Sequence, residues 1–534
     1  MIQISNLPLG LFQEEDTLRS MAASILHISV RDIVSLEIVR KSLDARKKNR
    51  LHFVYTIQVS AALDEQSLVN RCDHPNVTYT LPYIYTLPPS PPYFATPPVV
   101  VGSGPAGLFA ALILASCGAC PIVIEQGKPV EERAADTESF FATGTLNPFS
   151  NIQFGEGGAG TFSDGKLTTG IKDSLIRKVL KEFAEAGAPK EILYEAQPHM
   201  GTDNLRTVVK NLRNKIISLG GSFRFNTRLT GLHIQNKTLT GLDLQDTITH
   251  EKSQLDCTIC VLATGHSARD TYELLFTKGV QMTPKPFSLG VRIEHLQKTI
   301  NQSQYGALHN HSRLPTASYK LAASSLGGRG AYTFCMCPGG SVVAAASEEG
   351  GVVTNGMSLY ARDGTNANSA LLVGVGVEDF GDDHPLSGMY LQRSIERSAF
   401  VHGGGEFKAP AQLAGDFLKD IPSAVLGKVL PTYPRGVALG RIDSCLPRYV
   451  TDIMRKALTD MNRQLEGFAA PDALLTACET RSSAPVRILR DKNMQSSLKG
   501  LYPCGEGSGY AGGITSSAVD GIRCAEAILN MTKE

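Results

Sequence analysis

The segment Val99–Gly107 constrains the fold of this chain more than any other. Its three valines predict a short buried strand, which runs directly into the string Gly102-Ser103-Gly104-Pro105-Ala106-Gly107. The alanine-rich run Leu108–Ala115 then predicts a helix, and Ile122–Ile124 predicts a second strand. That strand ends on Glu125, about 20 residues after the second glycine. This combination predicts a dinucleotide-binding βαβ unit; the alternative is an ordinary glycine-rich turn in an α/β protein.

Each glycine of the turn has a predicted role. Gly102 permits the tight turn, Gly104 lets the backbone approach a pyrophosphate, and Gly107 lets the helix pack closely on the strand. The free N–H groups and the positive dipole end at the helix start attract phosphates, and Glu125 accepts a hydrogen bond from a ribose hydroxyl. The predicted dinucleotide contacts in this unit are Gly102, Gly104, Pro105, Ala106, Gly107, Glu125 and Gln126.

Composition bounds the class of protein. With 534 residues, 42% of them hydrophobic and 19% charged, the chain is expected to be globular and to divide into about three domains. Its formal charge of +1 gives no overall attraction to nucleic acid or anionic membranes, and we expect neither a membrane segment nor a secretion signal. Eleven scattered cysteines fit reduced thiols in the cytoplasm, and their spacing predicts no metal site.

The N-terminal region predicts a ferredoxin-like domain, because its strands and helices follow the order βαββαβ. The predicted strands are Ile2–Ile4, Ile33–Val39, Leu51–Ser60 and Val77–Thr86, and the predicted helices are Glu14–Leu26 and Asp64–Arg71. The basic connection Arg40–Arg50 is typical of a solvated loop, a phosphate contact or an interdomain contact. RNA binding is the alternative, although the aromatic residues of a stacking platform are missing.

The remaining chain predicts a discontinuous cofactor domain with a second domain inserted into it. Gly220–Leu244 is typical of a β-meander, the glycine-rich middle of the chain shows few long helices, and Ser516–Met531 predicts a terminal helix. The fold class is therefore α/β, a Rossmann-like FAD/NAD(P)-binding domain with an inserted α+β substrate domain. The predicted boundaries are 1–88 (ferredoxin-like), 89–96 (proline-rich linker), 97–284 (cofactor domain), 285–479 (substrate or cap domain) and 480–534 (return to the cofactor domain).

Late glycine turns favour FAD over NAD as the resident cofactor. A simple NAD dehydrogenase needs only the first βαβ unit, whereas a glutathione-reductase-like flavoprotein closes its site with a late strand, glycine turn and helix. The glycines of Gly505–Gly513 precede the terminal helix, where their N–H groups can face the pyrophosphate and the pyrimidine carbonyl of the flavin; a capping turn is the alternative. Further predicted cofactor contacts are Gly158, Gly160, Thr264, Gly265, Gly505, Glu506, Gly512, Gly513 and Ile514.

Long motifs occur along almost the whole chain. They are Arg40–Lys48, Val101–Gly107, Phe154–Leu167, Ala263–Asp270, Arg329–Gly340, Glu479–Arg487 and Gly505–Gly513. In these motifs the chain resembles the uncharacterised FAD-dependent dehydrogenases of bacteria and plastids, within the glutathione-reductase-like flavoproteins. The resemblance implies bound FAD, an N-terminal ferredoxin-like domain and a redox role, without naming a substrate. Glu506 departs from the aspartate common in the wider superfamily, and Gln126 stands where arginine is common.

A flavin enzyme of this kind needs a group that exchanges the substrate proton and a cation that orients an acidic group. Lys166 is predicted to offset charge on the reduced flavin or to bind a carboxylate. Tyr332 or Tyr433 can exchange the proton, and Arg435 or Arg481 can hold a carboxylate bidentately. A structural role is the alternative for each residue. The candidate catalytic residues are Lys166, His266, Tyr332, Arg435 and Arg481.

Two further patterns bear on redox chemistry. Cys335 and Cys337 lie two residues apart on a segment predicted to be extended, which places both thiols on one face. Buried small residues, a strained disulfide and a thiol beside the flavin are the alternatives. Leu371–Gly376 lacks a third glycine, so no separate nicotinamide domain is predicted and NAD(P)H is expected only as a transient donor.

These patterns together predict a cytoplasmic FAD-dependent oxidoreductase that cycles its flavin by hydride transfer with a small-molecule substrate. The alternative is a flavoprotein that binds or modifies RNA, with FAD as a structural ligand or a modifying cofactor. The substrate, the electron donor and the oligomeric state do not follow from the sequence.

Overall fold

The computed structural model describes residues 1–88, 94–326 and 328–531. Most of the predicted linker, residues 89–93, lies outside the described residues. Within the described part of the chain, every helix is too short or too polar to cross a membrane.

The N-terminal region forms a four-stranded antiparallel sheet with two helices. Its elements are β1 (Ile2–Gly10), α1 (Thr17–Leu26), β2 (Ile33–Asp44), β3 (His52–Ala61), α2 (Glu65–Arg71) and β4 (Val77–Tyr79). The strand order β2-β3-β1-β4 is that of a βαββαβ ferredoxin-like unit. Ile2 and Ile4 of β1 are fully buried, as is Ile57 of β3, because alternate residues face the helices.

The basic connection is partly strand, which corrects the predicted end of β2 at Val39. The strand continues to Asp44 because its residues pair with β3 as far as Asp44, which lies opposite His52. On the other edge of β2, the Lys41 N–H donates to the Tyr194 carbonyl, and the Ala196 N–H donates to the Lys41 carbonyl, both at 2.8 Å. The Lys41 ammonium also lies 2.8 Å from Glu15. This segment therefore makes an interdomain contact, which is one of the three roles, besides RNA binding, that its sequence suggests.

The first part of the cofactor domain follows in chain order. Its elements are β5 (Val99–Val101), α3 (Pro105–Ser116), β6 (Ile122–Ile124), α4 (Val130–Thr143), α5 (Leu175–Glu185), α6 (Gly201–Ser218), β7 (Ser222–Arg224), β8 (Thr227–Gln235), β9 (Thr238–Asp246), β10 (Lys252–Asp256), β11 (Cys260–Leu262) and α7 (Arg269–Thr277). Strands β8 to β10 form the predicted antiparallel meander. Ser222–Arg224 does not belong to it, contrary to prediction, because β7 pairs parallel with β6.

The middle of the chain is dominated by a seven-stranded sheet. The elements here are β12 (Met282–Pro284), β13 (Phe287–Leu296), α8 (Gln297–Tyr305), β14 (Ala322–Leu326), β15 (Arg329–Cys337), β16 (Ser341–Ala344), β17 (Thr354–Met357), β18 (Asn366–Val375), α9 (Ser387–His402), β19 (Ala409–Leu413), α10 (Ala414–Leu418), β20 (Val437–Leu439), α11 (Arg448–Gln464) and β21 (Leu474–Glu479). The strand order is β14-β15-β18-β13-β21-β19-β20. Helices α9 and α11, of 16 and 17 residues, correct the expectation of few long helices.

The chain then returns to the parallel sheet through β22 (Val486–Ile488), β23 (Leu501–Pro503) and α12 (Ile514–Leu529). The parallel order is β23-β11-β5-β6-β7. All three valines of β5 are buried, as expected for a central parallel strand covered on both faces. Helix α12 packs closely on α3, since a Cβ on Gly521 would lie 2.1 Å from the Ala106 carbonyl oxygen.

We expect Phe183→Ala to lower the free energy of unfolding by about 3–5 kcal/mol. Phe183 of α5 is buried and meets the fully buried Phe109 of α3 edge-to-face, with ring centroids 5.2 Å apart. The matched control is Phe12→Ala, since Phe12 is 79% exposed and has one edge contact with His311. That control should cost less than about 1.5 kcal/mol. Equal losses in chemical denaturation of the two variants would contradict the assigned packing.

Candidate active site

A cavity of about 780 Å³ lies between the carboxyl ends of the parallel strands and the seven-stranded sheet. This volume is within the range of about 300–1,000 Å³ usual for small-molecule and cofactor sites. Most of the residues proposed from the sequence line it: Gly102, Gly104, Pro105, Ala106, Glu125, Gln126, Gly158, Gly160, Lys166, Thr264, Gly265, His266, Arg481, Glu506, Gly512, Gly513 and Ile514. Segments far apart in the sequence are therefore brought to one chamber.

The glycine turn after β5 has the geometry that its sequence predicts. Gly102 has φ +101°, and a Cβ there would lie 2.3 Å from the Ala263 carbonyl oxygen. Gly107 does not line the cavity but allows α3 to approach the turn, because its Cβ would lie 1.9 Å from the Gly102 carbonyl oxygen. A Cβ on Gly104 would meet only the Gly158 Cα, at 3.7 Å, so Gly104 leaves its side of the turn open to the cavity.

The late glycine turn is open in the same way. A Cβ added to Gly512 or Gly513 would meet no atom within 4 Å, and Gly513 has φ +97° immediately before α12. Gly505 lies behind the cavity wall, where its Cβ would press on that of Ala106 at 2.6 Å. Two helix N-termini, of α3 and α12, and two open glycine turns thus face one chamber, an arrangement that fits a dinucleotide.

The Glu125 carboxylate is bound by the backbone and side chain of the surrounding loops, so it stabilises the turn and has little capacity left to bind another group. Its Oε2 accepts from the N–H of Ser103 at 3.0 Å and from the Ser103 hydroxyl at 2.7 Å. Its Oε1 accepts from the N–H groups of Gly127 and Gly155 at 3.0 and 3.1 Å. A carboxylate has about four acceptor positions, so these protein donors already use its capacity.

Arg133 holds the loop opposite the glycine turn, and the sequence analysis missed it. It is fully buried on α4. Its guanidinium donates to five backbone carbonyls, those of Asn151, Ile152, Gly155, Glu156 and Gly158. Burial lowers the pKa of Arg133 to about 10, so the side chain remains cationic at neutral pH. Its neighbours on α4, Glu131 and Glu132, make it look like a surface arginine, and no local signal marks it.

Lys166 lies at the cavity beside a buried carboxylate. Its Nζ is 2.7 Å from Asp164 Oδ2 and also donates to the Met336 carbonyl. Asp164 accepts further bonds from Arg362 Nε at 3.0 Å and the Ser358 hydroxyl at 2.7 Å. Burial opposes the charge on Lys166, but Asp164 together with Cys337 and Cys335 raises the Lys166 pKa, so the ammonium is retained.

His266 faces the cavity as a neutral imidazole. Burial, together with the cations Arg481 and Arg269, lowers its pKa to about 4. Its Nδ1 lies 2.9 Å from the Ser267 hydroxyl, which in turn donates to Gln153 Oε1 at 3.1 Å. At neutral pH the ring can exchange hydrogen bonds with a bound molecule, but it adds no charge.

Arg481 lines the cavity, but its guanidinium is engaged by protein groups. Its Nε and Nη2 lie 3.0 and 2.8 Å from the two oxygens of buried Glu396, and its Nη1 donates to the Ser347 hydroxyl at 2.5 Å. Arg269 binds the same carboxylate from another direction, at 2.8 and 2.9 Å. The expectation that Arg481 holds a substrate carboxylate is therefore corrected, because its guanidinium is already paired with buried Glu396.

Tyr332 and Arg435 are not among the residues that line the cavity. Successive side chains alternate across a strand, so Thr333 faces the cavity while Tyr332 faces a neighbouring one and donates to Ser288 at 2.9 Å. Arg435 donates to the carbonyls of Phe141 and Ala142 at 3.2 and 3.0 Å, joining α4 to the seven-stranded-sheet region. The alternative Tyr433 is buried with its hydroxyl on the Phe407 carbonyl. Their expected roles in proton transfer and carboxylate binding are corrected accordingly.

Two glutamates add acidic groups to the cavity wall. Glu479, which the sequence analysis missed, forms a bidentate ion pair with the fully buried Arg292. Glu506 accepts from the Gly513 N–H at 3.2 Å, beside the start of α12. Burial raises the pKa of Glu506 to about 7, against the opposing effects of the Gly513 hydrogen bond and Lys285. Among the described residues, no group of three or more His, Cys, Asp or Glu side chains is placed to hold a metal ion.

We expect Gly104→Val to yield folded protein with little or no bound flavin, because the valine would fill the space that Gly104 leaves open at the turn. Gly102 is a poorer test, since any side chain there also strains a positive φ and strikes the Ala263 carbonyl. The measurement is visible absorbance per folded protein, with folding followed by circular dichroism.

Gly170→Val is the matched control for this substitution. Gly170 is exposed, and its Cβ would meet nothing within 4 Å. We expect this variant to be yellow and folded. A Gly104→Val protein with a full flavin spectrum would contradict the assignment of this turn.

Three family models match parts of this chain. The family described as FAD-dependent protein, C-terminal domain-like, matches residues 286–482. The FAD binding domain family matches residues 98–161, and a domain of unknown function matches residues 1–60. An uncharacterised protein of Clostridium beijerinckii is 47% identical over 531 residues, covering 99% of this chain and 98% of that protein.

Solved structures show more distant likeness. Glycerol-3-phosphate dehydrogenase from Bacillus halodurans, complexed with FAD, is 10% identical with a TM-score of 0.35, over 80% of this chain and 63% of that one, less than two thirds of its length. A quinol-fumarate reductase with menaquinol molecules is 13% identical with a TM-score of 0.36, over 80% of this chain and 70% of that one. Likeness at this level carries no argument about activity.

Proposed function

Since this chain belongs to the family of uncharacterised FAD-dependent dehydrogenases, we propose that it is an FAD-dependent oxidoreductase acting on a small molecule in the cavity described above. The observation that carries the proposal is the meeting of both open glycine turns and both helix N-termini with Lys166, His266 and Glu506 in one chamber. When bound, FAD supplies two-electron chemistry by hydride transfer.

The residues assigned to hold FAD follow from the open positions of the chamber. The Gly102–Gly104 turn and the start of α3 bind the pyrophosphate, with Gly158 and Gly160 on the opposite side. Glu125 fixes the shape of the ribose subsite through its four accepted hydrogen bonds, and Gln126 lies beside it. Thr264, Gly265, Glu506 and the Gly512–Ile514 segment complete the set at the other end.

The chain's own residues control charge and protons in the remaining space. Lys166 presents an ammonium fixed by Asp164, which favours an anionic group nearby. His266 is neutral and can position a polar group without attracting an anion. Glu506 changes its protonation near neutral pH and therefore exchanges a proton where the start of α12 already favours negative charge.

NAD(P)H is proposed as a transient electron donor. The segment Leu371–Gly376, which lacks a third glycine, lies largely in β18, between β13 and β15 of an antiparallel sheet, so it does not form a second βαβ unit. A nicotinamide would have to enter the same chamber. The RNA alternative receives no support from the family matches, and in the basic segment both Lys41 and Arg46 already pair with carboxylates of this chain.

The direct test is an anaerobic titration of the yellow protein with NADPH and then NADH, followed at the flavin absorbance band. We expect bleaching by at least one donor, because a nicotinamide can deliver hydride to the flavin in this chamber. An unbleached band would overturn the nicotinamide donor and leave a substrate dehydrogenase or oxidase. Protein that stays colourless after reconstitution with FAD would overturn the proposed function itself.

We expect the flavin midpoint potential to fall more steeply with pH above about 7 in the wild type than in Glu506→Gln. Below that pH the protonated Glu506 is neutral; above it, the carboxylate opposes the negative charge that reduction adds. The glutamine stays neutral throughout, so its potential should exceed that of the wild type at about pH 8 and match it at about pH 6. Potentiometric titration at both pH values measures this, with exposed Glu466→Gln as the control. Parallel pH slopes in all three proteins would contradict the role of Glu506.

A further inference from the structure

Two thiols lie together in the wall of the same chamber. Cys335 lines the cavity on β15, and Cys337 is fully buried beside it. The regular register between β15 and β18 is interrupted between Phe334 and Cys337, and Cys335 has φ +42°. The two side chains therefore do not simply share one strand face, as their spacing predicts; instead, the Cys337 thiol donates a hydrogen bond to the Cys335 backbone carbonyl, with sulfur and oxygen 3.3 Å apart.

Two cations fix this short segment. Arg292 Nη1 donates to the Cys335 carbonyl at 2.9 Å, and Lys166 Nζ donates to the Met336 carbonyl. Each cation is itself held by a carboxylate, Glu479 for Arg292 and Asp164 for Lys166. The backbone of this segment is thus held by two cations, and their positive charges lower the pKa of the Cys335 thiol, which favours a thiolate over a thiol.

The charges around the two sulfurs favour ionisation at Cys335. The neighbouring Cys337 side chain lowers the Cys335 pKa; burial opposes this, and the charges of Lys166 and Arg292 add to the lowering. Asp164 acts in the opposite direction. The neighbouring Cys335 side chain and burial raise the pKa of Cys337, so Cys337 keeps its proton, which it donates to the Cys335 carbonyl.

A second cavity of about 580 Å³ adjoins the first next to this pair. Phe334, Ser482 and Gly512 line both cavities, and Phe334 directly precedes Cys335. Phe287 and Tyr332 give the second cavity an aromatic wall. A small molecule entering through it would reach the chamber at the Cys335 side.

From this arrangement we propose that Cys335 and Cys337 form a redox-active dithiol that reduces small-molecule disulfides in the cofactor chamber. The proposal deepens the proposed function and rests on it, since the same chamber would hold the cofactor. Cys335 is the nucleophile, Cys337 is the resolving thiol, and the substrates are small-molecule disulfides.

The step balances as a thiol–disulfide exchange. The Cys335 thiolate attacks one sulfur of R–S–S–R, forming a Cys335–S–S–R bond and releasing RS⁻. Cys337 then attacks the Cys335 sulfur, forming the Cys335–Cys337 disulfide and releasing the second RS⁻, which takes up the proton that Cys337 loses. The protein dithiol is oxidised by two electrons, and the substrate disulfide is reduced to one thiolate and one thiol.

The test treats the purified, flavin-containing protein with 2-hydroxyethyl disulfide and identifies the products by intact mass and peptide mapping. We expect the wild type to lose the mass of two hydrogens and to yield linked Cys335 and Cys337. Cys337→Ser should stop at a stable mixed disulfide on Cys335, and Cys335→Ser should give neither product at this segment. A wild-type protein that keeps a stable adduct at Cys335, or does not react there, would overturn the proposal.

Alkylation by iodoacetamide supplies a second readout that needs no variant. We expect Cys335 to react at least about tenfold faster at about pH 6 than Cys120, a free cysteine that is exposed. A slower rate at Cys335 would count against a thiolate. Yellow protein with an inert Cys335 would overturn this inference alone, whereas colourless protein with a reactive pair would overturn the proposed function and retain the thiol chemistry.

Discussion

The chamber depends on one buried cation, the guanidinium of Arg133. Removing a guanidinium from water is unfavourable unless all its donors find partners, and here backbone carbonyls from Asn151 to Gly158 supply them. The amide groups of the same loop are satisfied in the opposite direction: Gly155 N–H by Glu125, and Gly157 N–H by the Ser103 carbonyl at 2.9 Å. The loop is thereby locked against the glycine turn, which leaves the space between them defined.

Charges at the chamber wall are mostly paired by the protein itself. Arg481 and Arg269 share Glu396, Arg292 binds Glu479, and Asp164 lies between Lys166 and Arg362. Buried ion pairs of this kind contribute more to fixing positions than to net stability. Three side chains at the chamber wall can still interact with a bound molecule. They are the charged Lys166, the neutral His266 and the titratable Glu506. These groups are few, and hydrogen bonds to Asp164, Ser267 and Gly513 hold them in place.

Much of the fold was predictable because its signals are local. Gly102 has a positive φ, and Gly107 lies so close to the Gly102 carbonyl that a side chain would not fit. Both positions therefore favour glycine, which is visible in the sequence. Boundaries were less predictable. Strand β2 extends to Asp44 because it pairs with β3 as far as that residue, and Ser222–Arg224 joins the parallel sheet because it pairs with β6. The sequence around a strand end does not show which other strand it pairs with, so the end is hard to predict.

The sequence by itself determined the dinucleotide unit, the βαββαβ order of the N-terminal region and the late glycine turn, because backbone sterics and apolar periodicity act over a few residues. Tertiary structure decided which polar side chains remain available. Arg481 and Arg435 look equally suited to bind a carboxylate, yet one is engaged by Glu396 and the other by carbonyls of α4. Arg133 and Glu479 carry no local mark at all. Their roles depend on partners brought close by the fold, and hydrogen bonds and charges act through space rather than along the chain.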